Sequence, residues 1–325
     1  MNHVPLPSGK LLVTGANGFI GRLLCAALIN RQGSVKAAAR NAGEAAPNID
    51  TIAVGNIDGS TDWSMALQGI EVVIHLAARA HIMRDTAADP LAEFRKVNVD
   101  GTLNLAGQAL QASVKRFIFI SSIKVNGEAT SPGRPFHADD APTPEDAYGL
   151  SKREAEDGLR ELCADSTMEF VIIRPPLVYG PGVKGNFFSM MRWLDKGIPL
   201  PFASIQNRRS LVAADNLVDL IITCIGHPMA ANQIFLAGDG EDLSTPELLK
   251  RTAAALGKRA RLLPVPTALL AFAARCLGKT AAVQKLCGSL QVNIQKTRSM
   301  LGWRPPVGVD QALRASAEHY LGVRK

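Results

Sequence analysis

The chain reads as an α/β protein: a Rossmann-type, doubly wound parallel sheet with a smaller, mostly helical C-terminal part. Three observations predict this. Short apolar runs alternate with helical patterns through the first half, a glycine-rich turn follows the first run directly, and the alternation loosens after Arg174, where prolines gather. Nearly continuous apolar runs suit parallel strands that are buried on both faces and joined by right-handed crossovers.

The strands expected are 10–14 (KLLVT), 34–38, 51–54, 71–76 (EVVIHL), 115–121 (KRFIFIS) and 169–174 (EFVIIR). Helical patterns occupy 19–32, 61–69, 90–112 and 145–164. The last of these begins with Pro144, Glu145 and Asp146, which suit a helix N-terminus. Prolines at 175, 176, 181, 199 and 201, and again at 264 and 266, separate shorter helices. The division expected is a dinucleotide-binding domain of 1–174 plus about 211–235, and a substrate domain of about 175–210 plus 236–325.

At 325 residues, 47% of them hydrophobic and 20% charged, the composition is that of a globular protein with room for two domains. A net charge of +7 suits an anionic small molecule. Lys and Arg are scattered and aromatics are only 5%, so neither a stacking platform nor a basic helix for nucleic acid is expected. Cys25, Cys163, Cys224, Cys276 and Cys287 form no CxxC pair and read as buried thiols in a reducing cytoplasm. The six histidines show no HExxH or HxxxH spacing, so no metal site is expected. The polar, proline-rich opening MNHVPLPSGK carries no secretory signal. The most apolar stretch, VPTALLAFAA at 265–274, falls short of the ~20 residues that span a bilayer. It reads as a core or inter-domain helix, with interfacial membrane contact as the lesser alternative.

The first strand runs into TGANGFIG (14–21), which spaces Gly15, Gly18 and Gly21 three apart ahead of a helix. Glycines there let the backbone turn tightly and approach a pyrophosphate at the helix N-terminus, with Asn17, Phe19 and Ile20 completing the loop. An NAD site usually has an acid at the end of the second strand for the ribose hydroxyls. Ala39 and Arg40 stand there instead, and arginine suits a 2′-phosphate. NADP(H) is therefore the cofactor expected, with NAD(H) as the alternative.

YGLSK (148–152) puts Tyr148 and Lys152 one turn apart on the same helix face. A cation near a phenol favours its ionised form, so the pair reads as a proton donor and acceptor tuned towards neutral pH.

Together with VIHLAARAH (73–81), NVDGTLNL (98–105), FIFISSIKVNGE (117–128), RPPLVYGPG (174–182), RRSLVAADNLVDL (208–220) and LGWRP (301–305), these motifs resemble the extended short-chain dehydrogenase/reductase family. The likeness is to its nucleotide-sugar branch, near the UDP-glucose 4-epimerases, and covers nearly the whole chain. It implies that Leu76, Ala77 and Ala78 line the dinucleotide, that Asn56 and Ile57 hold adenine, that Asn98 organises the site, and that Pro175 borders the cofactor. Ser122, Tyr148 and Lys152 would be the catalytic trio: Ser122 bonded to the reacting sugar oxygen, Tyr148 as acid/base, Lys152 on the nicotinamide ribose while lowering the tyrosine pKa. Arg209 would clamp the UDP diphosphate, and Asn186 and Lys124 would touch the substrate. Ile123 and Lys124 replace the Asp-Glu pair of the sugar-nucleotide dehydratases, which argues against dehydration.

Arg40 and the SSIKVNGE stretch tilt the expected reaction towards NADPH-dependent reduction of a UDP-4-keto-6-deoxy-N-acetylhexosamine, as in bacterial O-antigen biosynthesis. An NAD-dependent 4-epimerase is the alternative, followed by another small-carbonyl oxidoreductase and by a non-catalytic NADP-sensing regulator. The family likeness also implies a cytoplasmic homodimer built on the helices at 90–112 and 145–164.

Overall fold

The computed structural model describes residues 6–41, 49–80, 89–131, 133–276 and 286–323. His81, the last residue of VIHLAARAH, lies outside them. One parallel sheet is built from seven strands: β1 (Lys10–Thr14), β2 (Val35–Ala39), β3 (Asp50–Ala53), β4 (Ile70–His75), β5 (Arg116–Ile120), β6 (Glu169–Arg174) and β9 (Gln233–Leu236). Their order across the sheet is β3-β2-β1-β4-β5-β6-β9. The order reverses direction at β1, and β1 and β4 are neighbours, as in doubly wound nucleotide-binding folds.

The pleat sorts the two faces. Leu11, Val13, Val72, Ile74, Ile118, Val171 and Ile173 join a core with Leu24 and Leu28 of α1 (Phe19–Asn30) and with α6 (Ala214–Gly226). Their neighbours Leu12, Val73, Phe117, Phe119 and Ile172 pack on the opposite face against α3 (Gly101–Gln111) and α4 (Ala147–Ala164). Burial on both sides is why these strands read as unbroken apolar runs.

A smaller sheet joins β7 (Leu177–Tyr179), β8 (Arg209–Ala213) and β10 (Asp242–Leu243), with β8 in the middle. Beside it, α5 (Gly185–Asp195), α7 (Thr245–Ala255) and α10 (Val309–Val323) enclose a third core around Phe187, Met191, Leu249 and Leu313. Helix α8 (Thr267–Cys276) follows α7, and α9 (Gln295–Leu301) precedes α10. The stretch expected to return to the sheet at 211–235 does so only at its end: β8 stays in the small sheet, α6 packs on α1, and β9 takes the edge.

Three expectations are corrected. No helix forms at 61–69: side chains of α3 hold that segment as turns, Asn104 and Gln108 donating to the Thr61 carbonyl and Gln108 accepting from the Trp63 amide. Trp63 is fully buried there, and Gly69 turns into β4 at φ +67°. The helix at 90–112 is not uniform: α2 (Pro90–Arg95) passes into a π-helical turn at Lys96–Asp100 before α3. Lastly, Cys276 is exposed, unlike the buried Cys25, Cys163 and Cys224.

Candidate active site

The site lies where β1, β4, β5 and β6 end. The turn after β1 is tight: Gly15 has φ +66°, its carbonyl accepts from the Gly18 amide at 2.9 Å, and α1 starts at once with no side-chain cap. A Cβ on Gly15 would sit 2.8 Å from the Ala77 nitrogen, and one on Gly21 would sit 2.1 Å from the Gly15 carbonyl. Only glycine fits either position, so this backbone can press against a pyrophosphate at the α1 N-terminus, flanked by Asn17, Phe19 and Ile20.

Leu76, Ala77 and Ala78 leave β4 as a half-buried strip facing that turn, and the Ala77 amide donates to the Thr14 hydroxyl at 3.2 Å. His75 is buried beneath it, bonded to Thr14 at 2.7 Å and Thr102 at 3.1 Å. Burial, and then the Lys152 charge, lower its pKa to about 3, so His75 stays neutral and structural. Asn98 sits in the π turn with every polar group used: it accepts from the Arg79 amide and donates to the Arg79 carbonyl and the Ser151 hydroxyl. The irregular turn thus joins the strip after β4 to α4, a use typical of π bulges.

Arg40 follows β2 directly and is exposed, and Asn56 is likewise exposed beyond β3. Ile57 is half-buried against Gly101, where a Cβ would come within 2.7 Å of its side chain. Pro175 is buried after β6, and its carbonyl takes the Ile123 amide at 3.0 Å.

Ser122 ends the β5 segment and caps a single 3-10 turn at Ile123–Val125. Tyr148 stands in the first turn of α4, its ring 5.9 Å from that of Phe94. Burial pushes the phenol up to about 12; the nearby Ser122 hydroxyl opposes this and the Asp146 charge adds to it. The Lys152 ammonium group donates to the Ile120 carbonyl at 2.8 Å and lies 4.3 Å over the Phe119 ring. Burial brings Lys152 down to about 7, with Glu156 resisting. The expected lowering of the phenol is therefore corrected: burial holds Tyr148 above its ordinary value and Lys152 below its own. A phenol beside a hydroxyl suits proton transfer to and from a substrate oxygen.

Lys124, expected on the substrate, is instead engaged by Asp146 and by Glu128 at 2.8 Å. Asn186 is exposed in the first turn of α5. Arg209 is half-buried at the start of β8 and donates to the Gly288 carbonyl at 3.0 Å, while burial lowers its pKa. Sequence reasoning missed the buried pair of Arg174 and Glu156, joined at 2.5 Å and 2.9 Å, with Asn126 accepting from Arg174 at 3.0 Å. It fastens α4 to β6 one turn beyond Lys152; the signal was Glu156 at the i+4 position on the Lys152 face.

A family model described as NAD dependent epimerase/dehydratase family matches residues 11–238. A UDP-glucose 4-epimerase of Vibrio cholerae is 51% identical over 314 residues, covering 96% of this chain and 95% of its own. Among solved structures, the UDP-glucose 4-epimerase of Thermotoga maritima with UDP-glucose superposes with a TM-score of 0.78 at 22% identity, covering 97% of this chain and 100% of that one. The Thermus thermophilus UDP-glucose 4-epimerase in complex with NAD gives 0.78 at 22%, covering 96% and 99%.

Proposed function

The chain belongs to the NAD dependent epimerase/dehydratase family, and from that premise we propose that it is an NAD-dependent 4-epimerase of UDP-hexoses. The observation that carries this is the 51% identity, over nearly the full length of both chains, to the Vibrio cholerae UDP-glucose 4-epimerase. It outweighs the reductase expected first, which rested on Arg40 and the SSIKVNGE stretch.

In this reading, residues 1–174 plus about 211–235 hold the dinucleotide and the remainder holds the nucleotide-sugar. The Gly15–Gly21 turn, Leu76, Ala77, Ala78, Asn56 and Ile57 cradle NAD, which when bound supplies the hydride acceptor and donor. Tyr148, after passing its own proton to Lys152, takes the proton from the C4 hydroxyl as a phenolate and returns it, and Ser122 bonds the same oxygen. Lys152 orients the ribose and, one helical turn from the phenol, relays the proton that Tyr148 exchanges. Arg209 faces the diphosphate with a planar donor. Two copies associate through the α2–α3 and α4 helices.

Arg40 supports a second reading, NADPH-dependent reduction of a UDP-4-keto-6-deoxyhexosamine, because it stands at the end of β2 where NAD enzymes place an acid. Incubation with UDP-glucose and no added cofactor separates the two. The proposal expects UDP-galactose to appear until the two sugars reach equilibrium. No conversion, together with NADPH oxidation when a UDP-4-keto sugar is supplied, overturns it in favour of the reductase.

A further inference from the structure

The exposed apolar face around α8 carries an inference independent of the reaction. Seven of its ten residues are apolar, and of its described side chains all but the half-buried Leu270 are exposed. Leu269 is 56% and Phe272 64% exposed, and Leu263, just before the helix, is 50% exposed. These are large side chains in water, within ten residues of one another. The segment leading into α8 is fixed rather than loose: the Leu200 amide donates to the Arg261 carbonyl at 2.8 Å, Leu263 donates back to Leu200 at 2.8 Å, and Ala203 donates to Leu263 at 3.1 Å.

Charge is distributed around this face as unevenly as apolarity. No Asp or Glu occurs between Glu247 and Asp310, while eleven Lys and Arg do. With 29 acids in 325 residues, a stretch of that length would ordinarily hold five or six. Lys258, Arg259 and Arg261 precede the apolar face and Arg275 stands in the last turn of α8, all four exposed and none paired with a carboxylate among the described residues.

We propose that this face docks the protein on an anionic lipid bilayer, with Leu263, Leu269 and Phe272 entering the headgroup layer and Lys258, Arg259, Arg261 and Arg275 meeting lipid phosphates. An apolar helix flanked along the chain by exposed cations, and too short to cross, suits an interfacial position. None of the described helices is long and apolar enough to span a membrane. A second copy of the chain is a poorer occupant. Two-fold pairing would bring each basic flank against its like, with no acid in the segment to offset it.

The test is co-sedimentation of the full chain with phosphatidylglycerol–phosphatidylcholine vesicles and with pure phosphatidylcholine vesicles. Binding is expected to the anionic vesicles only, to fall steeply as salt rises, and to drop at least about tenfold in Leu269→Gln/Phe272→Gln and in Lys258→Glu/Arg259→Glu/Arg261→Glu. Turnover of a dissolved UDP-sugar is expected to survive both sets. The salt dependence of the unaltered protein needs no variant, so an unstable variant leaves the test intact. Absence of vesicle binding, or equal binding to neutral vesicles, overturns the proposal. A dimer in sedimentation equilibrium that the apolar substitutions dissolve overturns it in favour of self-association.

Discussion

Lys124, two residues past Ser122, is ion-paired to Asp146, two residues before Tyr148. The other Asp146 oxygen accepts from the Gly149 amide at 2.7 Å and so caps α4. Gly149 lets the two segments close up, since a Cβ there would lie 2.8 Å from the Lys124 carbonyl. Burial works against both charges, yet their mutual bonds, with Glu128 on the lysine side and Gly149 on the aspartate side, hold Lys124 above and Asp146 below their ordinary values. The pair therefore registers the serine loop against the tyrosine helix.

Asp146 also acts on the phenol through space. Its carboxylate raises the Tyr148 pKa, so Asp146→Asn, which keeps a capping oxygen and removes the charge, should move the Tyr148 titration down. The ascending limb of kcat/KM for UDP-glucose, set by formation of the phenolate, then shifts to lower pH. An unchanged limb would mean that Asp146 serves the cap alone. Asp146→Ala loses the cap as well, at about 1 kcal/mol in a thermal melt.

Tyr148→Phe separates an enzyme from a cofactor-binding regulator. The expected outcome is a fall in kcat of about 10²–10⁴-fold with dinucleotide affinity unchanged. Turnover equal to that of the unaltered protein would remove Tyr148 from the chemistry.

The phenol also sets a stability window. Its folded pKa of about 12 lies above the ordinary value of 10, so the stability it contributes is complete below pH 10 and is lost as pH rises through 12. Denaturation midpoints of the unaltered protein should fall more steeply over that interval than those of Tyr148→Phe. Parallel curves would contradict this.

Arg174 and Glu156 are 3% and 2% exposed as side chains, so removal of one leaves a buried charge without its partner. Glu156→Ala should cost about 3–5 kcal/mol in urea denaturation. A double change of Arg174→Met with Glu156→Leu should cost much less, because it leaves no stranded charge.

The strands were legible because burial on both sheet faces writes itself as apolar runs, and Tyr148 and Lys152 because helical spacing fixes their shared face. The 61–69 turns were not, since their backbone partners are Asn104 and Gln108, some forty residues away. The π turn holding Asn98 leaves no mark in residue type. The roles of Lys124 and Lys152 turned on tertiary partners, Asp146 for one and the Ile120 carbonyl for the other, that no spacing rule encodes.

The central claim is that the hydrogen removed from C4 returns to C4 on the same protein. UDP-glucose carrying deuterium at C4, incubated with the enzyme and a large excess of unlabelled NADH and NADPH, tests it directly. The account predicts UDP-galactose with the deuterium retained at C4. Loss of the label into the added nucleotide pool would show exchange of the hydride carrier between turnovers, and would contradict the epimerase assignment.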